Sequence, residues 1–196
     1  HAMSRRQRQM CIRDSFIVYR DRTDAEVRDI YAAHFDGTTW SDPIRVSNDD
    51  WTIAGCPVNG PQAVGMGQDA AVAWFTMADE NPTVKLSRSQ HSLSEFVAPV
   101  IVSQGDTLGR VALAYTGKHL VVSWIDEDNN KAELKAAWYD PETLTQSHQA
   151  IVAEVPRGRS SGFPSLAVIE SEQVLISFTA KEEKELSVQT ALLSHP

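Results

Sequence analysis

A short apolar strand carrying an aromatic occurs four times in this 196-residue chain, as FIVYRD (16–21), AVAWFT (71–76), VVSWID (121–126) and LISFTA (175–180). Internal repetition constrains a fold more tightly than any single motif, because each copy must solve the same packing problem. The aromatics are Tyr19, Trp74, Trp124 and Phe178. Each segment is short, β-branched and aromatic, as a buried strand requires. A glycine-led strand precedes three of them: GPQAVGM (60–66), GRVALAY (109–115) and GFPSLAV (162–168). The turns between are GQD (67–69), TGKH (116–119) and ESEQ (170–173), which predict hairpins. A more polar third strand follows each aromatic one: VRDIYAA (27–33), TVKLSRS (83–89), ELKAAWY (133–139) and LSVQTAL (186–192). A fourth closes three of the units: DPIRVS (42–47), FVAPVIV (96–102) and SHQAIVAEV (147–155). RTDAEVRDI (22–30) reads as a loop running into the third strand, and no segment holds a helical period.

Four antiparallel strands in roughly fifty residues is the signature of a β-propeller blade. The fold class expected is therefore all-β: a partial β-propeller with units at about 16–47, 60–102, 109–155 and 162–193. The middle two units are complete blades. The first lacks its opening strand and the last its closing strand. Such a stack is about half of a six- to eight-bladed ring, and its open ends are association liabilities. Completion by homodimerisation is the expected solution.

Residues 1–15 are set apart from this body. HAM reads as a cloning scar. RRQR could be a nucleic-acid arm or a solvated tail, and residues 4–15 resemble translated sequencing-adapter read-through, which would leave Cys11 without an evolved role. The whole chain carries −8, and without the four N-terminal arginines 14 basic residues face 26 acidic ones. An acidic body argues against a nucleic-acid partner. No apolar run approaches the roughly 18 residues of a membrane helix. Six scattered histidines and two cysteines form no metal-ligand spacing, so no metal and no cofactor are expected.

FDGTTWSDPIRVS (35–47) resembles a degenerate Asp-box turn of sialidase-type propellers: Gly37, Thr39 and Trp40 match, while Ala33 and Phe35 replace the serine and aspartate. SRSQHSLSEF (87–96) is a weaker copy, with Ser89 and Phe96 matching and His91 and Leu93 in place of aspartate and glycine. Together with YRDRTDAEVRDIY, WTIAGCPVNGP, VAWFT, LGRVAL and GFPSL, these make residues 16–193 similar to the C-terminal half of bacterial exo-α-sialidase-like proteins. The resemblance implies a propeller with a central mouth. It also implies chemistry by a tyrosine nucleophile helped by a glutamate, with an aspartate acid/base and three arginines clamping a carboxylate. The family's FRIP-like motif and its early aspartate are missing here, and the resemblance suggests export although no segment of this chain directs it.

Candidate ligand-binding residues are Arg110, Asn59, Arg20, Arg22, Arg157 and Arg159; no catalytic residue can be assigned. Guanidinium forks suit a carboxylate, and loops into the innermost strands line a propeller's mouth. Arg110 reads either as an inter-blade ion pair or as a ligand contact. Tyr19 and Tyr115 are nucleophiles by residue type alone and read better as packing, as do Trp74, Trp124 and Phe178. Trp40 and Trp51 read as rim packing, with sugar stacking as the alternative. Glu182, Glu183 and Glu185 read as a solvated loop. Cys56, in the stiff CPVNGP stretch, reads as a buried corner thiol rather than a mouth residue or nucleophile. The function expected is a sialidase-like half-ring that self-associates, without catalysis and with a polar ligand site at its mouth. The alternatives are a glycoside hydrolase acting on acidic sugars and a glycan-binding or protein-docking module.

Overall fold

In the computed structural model, residues 15–128, 130–170, 172–182 and 185–196 are described, so the expectations for residues 1–14, Cys11 and Glu183 lie outside them. The architecture is all-β. Four antiparallel sheets follow one another in chain order, and the helical elements among the described residues are two 3-10 turns, Ala78–Glu80 and Gly158–Ser161.

Sheet one comprises β1 (Ser15–Arg20), β2 (Ile30–Phe35) and β3 (Ile44–Arg45). Sheet two comprises β4 (Gln62–Met66), β5 (Asp69–Thr76) and β6 (Thr83–Gln90), with β7 (Glu95–Phe96) and β8 (Val100–Gln104) both pairing with β6. Sheet three is β9 (Thr107–Tyr115), β10 (Leu120–Glu127), β11 (Ala132–Tyr139) and β12 (Gln146–Val155). Sheet four is β13 (Ser165–Glu170), β14 (Gln173–Glu182) and β15 (Glu185–Ser194). The strand expected at 96–102 is broken into β7 and β8 around Pro99, which has no N–H to give to a ladder. The strand expected at 42–47 shrinks to Ile44–Arg45 for the same reason beside Pro43. The stretch 22–29 is a loop leading into β2, which starts at Ile30 rather than at 27, and a bridge joins Val27 to Thr52.

The second strands of sheets two and three are buried on both faces, which is why they read as nearly unbroken apolar runs. Alternation then divides their side chains between two seams. Trp74 packs with Ile30, Ala32 and Val46 between sheets one and two. Trp124 packs with Phe75, Leu86 and Trp51 between sheets two and three. Phe178 packs with Ile125, Leu134 and Val155 between sheets three and four. Each repeated aromatic therefore points at the sheet before its own. The neighbouring residues of opposite parity, such as Ala73 and Phe75 or Val121 and Ile125, point at the sheet that follows. At the first seam Asp49 adds a buried polar tie, accepting hydrogen bonds from Trp74 Nε1 at 2.7 Å and Lys85 Nζ at 2.6 Å.

The turns after the third strands share one device. Asp36 Oδ1 accepts the N–H groups of Thr38 and Thr39 at 2.7 and 2.8 Å. Asp140 Oδ1 accepts those of Glu142 and Thr143 at 3.0 and 2.8 Å. These backbone donors hold both carboxyls below the usual carboxylate range. The equivalent turn of sheet two has no aspartate. It runs through three left-handed non-glycine residues instead, His91, Ser92 and Leu93.

Candidate functional site

The loops that lead into β4, β9 and β13 carry most of the residues expected at a mouth. Asn59 is their hinge. Its Nδ2 donates to the Leu108 carbonyl at 3.0 Å, and its Oδ1 accepts the Arg110 N–H at 3.1 Å. The side-chain amide thus pairs with the backbone on both sides of Gly109 as a strand peptide would. Gly109 has φ +74°, and a Cβ there would lie 2.8 Å from the Phe75 ring, so only glycine lets β9 pass this close. Arg110 continues the left-handed bend with φ +53°.

That bend lays the Arg110 guanidinium flat over Phe163, 4.2 Å from the ring centroid. Burial, and the like charge of Arg159, lower its pKa. Among the described residues no carboxylate pairs with Arg110 or Arg159, so the inter-sheet contact expected as an ion pair is a cation–π contact instead. Phe163 is 53% exposed and Arg110 half-buried. Sequence reading missed Phe163, although an aromatic directly after Gly162 and four residues after Arg159 was the available signal.

The other candidates are held by the protein itself. Arg20 sits over Trp51 at 4.8 Å. It donates to the carbonyls of Arg28 (2.6 Å), Phe75 (2.5 Å) and Asn59 (3.3 Å). Burial brings its pKa down to about 10. It is a strut between sheets one and two. Arg157 is exposed and paired with Glu127 at 3.2 Å, and Glu127 also accepts the Gly158 N–H at 2.7 Å. Arg22 pairs with Glu26, which also binds Arg28 at 2.7 Å. With Ala54, Gly55 and Cys56 these residues line an open hollow apart from the Arg110 contacts. The structure therefore brings Arg20, Asn59, Arg110 and Arg159 into one connected set and leaves Arg22 and Arg157 out of it.

Cys56 is exposed, not buried: the corner is real, but it projects the thiol outward, because the Gly55 carbonyl is turned toward Arg28 at 2.9 Å. Trp51 is buried and meets Phe75 edge-on, and Trp40 packs on Phe35 at 5.3 Å. Tyr19 stacks on Tyr31 at 6.2 Å, on the face of β1 away from Arg20. Tyr115 donates to the Gly117 carbonyl at 3.0 Å, five residues along β9 from Arg110, or about 17 Å. Neither hydroxyl shares the surroundings of the unpaired guanidiniums. Among the described residues no group of three or more His, Cys, Asp or Glu side chains is placed to hold a metal ion, and no helix is long and apolar enough to cross a membrane.

No protein-family model and no curated protein matches the sequence. Among solved structures the chain is similar to a protein of unknown function from Dyadobacter fermentans (TM-score 0.64, 13% identity, 92% of this chain and 50% of that one). It is also similar to the Hadza microbial sialidase Hz136 (TM-score 0.52, 15% identity, 88% and 41%). A third neighbour is NanB, solved with Optactamide (TM-score 0.54, 13% identity, 91% and 29%). The chain thus spans half or less of each neighbour's length. These likenesses support a sialidase-like β-propeller fold.

Proposed function

We propose that this chain is a sialidase-like half-propeller that closes into a ring with a second copy and holds an anionic ligand, an acidic sugar, at the mouth without hydrolysing it. The observation that carries this reading is the Arg110 guanidinium, stacked on an exposed Phe163 beside Arg159 and left without a carboxylate partner among the described residues. A half-buried guanidinium with a like charge nearby gains from an incoming carboxylate, which a guanidinium fork can bind in a bidentate manner. The test is calorimetric titration with an acidic sugar and a neutral one, against wild type and Arg110→Met. Binding of the acidic sugar alone, lost in the variant, supports the reading. Equal binding by both sugars, or none, refutes the ligand assignment.

A second reading, a glycoside hydrolase acting on acidic sugars, is favoured by the fold neighbour Hz136, itself described as a sialidase. Hydrolysis needs two groups flanking the anomeric carbon, whereas Tyr19 and Tyr115 are turned to other contacts. Turnover of a fluorogenic sialoside between pH 4 and 8, abolished by Arg110→Met, would establish this reading over the first. A glycan-binding or protein-docking module without ring closure is the remaining alternative, and binding by a protein that stays monomeric would select it.

A further inference from the structure

The three internal seams obey one rule, and the two ends of the chain present its two unmatched halves. At each seam a repeated aromatic projects from one sheet into the face of the sheet before it: Trp74, Trp124 and Phe178. The fourth aromatic, Tyr19, meets no preceding sheet among the described residues. The register Tyr19↔Tyr31↔Arg45 puts Tyr19, Tyr31 and Ile17 on one face together with Arg45, which is ion-paired to Asp29 and Asp50. The opposite parity, Val18 and Ala32, packs into the first internal seam.

Sheet four shows the complementary half. Leu175, Ser177 and Thr179 flank Phe178 on β14 as Ala71, Ala73 and Phe75 flank Trp74 on β5. The register aligns Ala167↔Leu175↔Leu192, Ser177↔Thr190 and Thr179↔Val188, so these side chains share one face. Gly162 lies against Thr179, and the β15 side of the face is open: Val188 is 77% and Leu192 54% exposed. On the other side of the same sheet Val174, Ile176 and Phe178 are buried against sheet three.

We infer that the open face of sheet four receives the Tyr19 face of a second copy, and that its own Tyr19 face is received in turn. Two seams related by a two-fold axis then close the ring. This rests on the reading of the chain as a half-propeller. The areas favour a second copy. Strands of six, ten and ten residues in sheet four present roughly 410 Å², and strands of six, six and two residues in sheet one roughly 220 Å². Together they offer each protomer about 630 Å², inside the roughly 600–1,000 Å² per partner of a standard stable interface. Because each seam joins two different faces, the contact is head-to-tail, and it stays a dimer only because the rotation closes.

The test uses solution mass as a function of concentration for the full chain and two variants, Ile17→Glu and Val188→Glu. Both positions are exposed in the single chain, at 48% and 77%, and retained near-UV circular dichroism confirms that each variant folds. In a variant homodimer every seam contains one blocked face, so each variant dissociates at least tenfold more readily than wild type. In an equimolar mixture the heterodimer keeps one intact seam, and its dissociation midpoint falls between those of wild type and the variants. A dimer that survives either substitution, or a mixture no tighter than its components, overturns the pairing while leaving a ring of some other geometry. A monomeric wild type overturns the pairing and self-association alike.

Discussion

Replacing Asn59 by alanine removes one side chain and two hydrogen bonds, to the Leu108 carbonyl and from the Arg110 N–H. Each bond contributes about 1 kcal/mol net. Both orphaned backbone groups belong to half-buried residues that water can partly reach, so the loss is about 2 kcal/mol rather than the full cost of two dry unpaired groups. For a chain of this length that corresponds to roughly 4–8 °C in Tm, read by thermal unfolding and confirmed by a shift of the urea midpoint at constant m. Asn59→Asp separates the two bonds. It keeps the acceptor for the Arg110 N–H but turns a carboxylate oxygen on the Leu108 carbonyl, so at neutral pH it is at least as damaging as alanine. Below about pH 4 the protonated carboxyl can donate again, and its deficit relative to wild type shrinks. A loss under 0.5 kcal/mol for Asn59→Ala, or a pH-independent deficit for Asn59→Asp, refutes the view that this amide fixes the path of β9.

Gly109→Ala combines a left-handed φ with a contact of 2.8 Å to Phe75, and destabilises by about 2–4 kcal/mol in chemical denaturation; truncating Phe75 to leucine in the same chain recovers part of the loss. Asp140 is held below its ordinary pKa by the Thr143 and Glu142 donors, so its contribution is present above about pH 4, the unfolded value, and is lost as pH falls through the folded one; Asp140→Asn therefore flattens the acid limb of a stability-versus-pH curve. Burial pushes Tyr139 up to about 12, so its contribution is intact below about pH 10 and lost as pH rises toward 12, and ultraviolet titration finds one tyrosine ionising with unfolding in wild type but not in Tyr139→Phe.

The strands were legible because burial on both faces of β5 and β10 writes itself as uninterrupted apolar residues, and because turn glycines such as Gly67 and Gly117 sit at positive φ between them. The register of Trp74, Trp124 and Phe178 was legible for the same reason: equal positions face equal seams. The fate of the arginines was not. Arg20 is captured by carbonyls from Arg28, Asn59 and Phe75, up to 55 residues away, and no local pattern announces a backbone acceptor. Arg110 meets Phe163 across a sheet boundary, 53 positions on. Cys56 misled because proline and glycine reveal that a corner forms, not which way its side chains turn. Asp140 went unnoticed because DPETLT lacks the glycine and tryptophan that drew attention to the turn at Asp36.

The one-sided packing of sheet four has a consequence for the life of the molecule. In a linear array of repeats, each sheet's resistance to opening is its own stability plus one contribution from every neighbour it touches. Among the described residues, sheets two and three draw on two neighbours, whereas sheets one and four draw on one each. The array therefore opens from its terminal sheets in steps rather than all at once, and amide exchange and protease cleavage start there, in β15 at the sheet-four end. Anything that covers the face acts by mass action on that opening. Under the proposed pairing with a second copy, dilution shortens the life of the molecule, and abundance itself becomes a determinant of turnover.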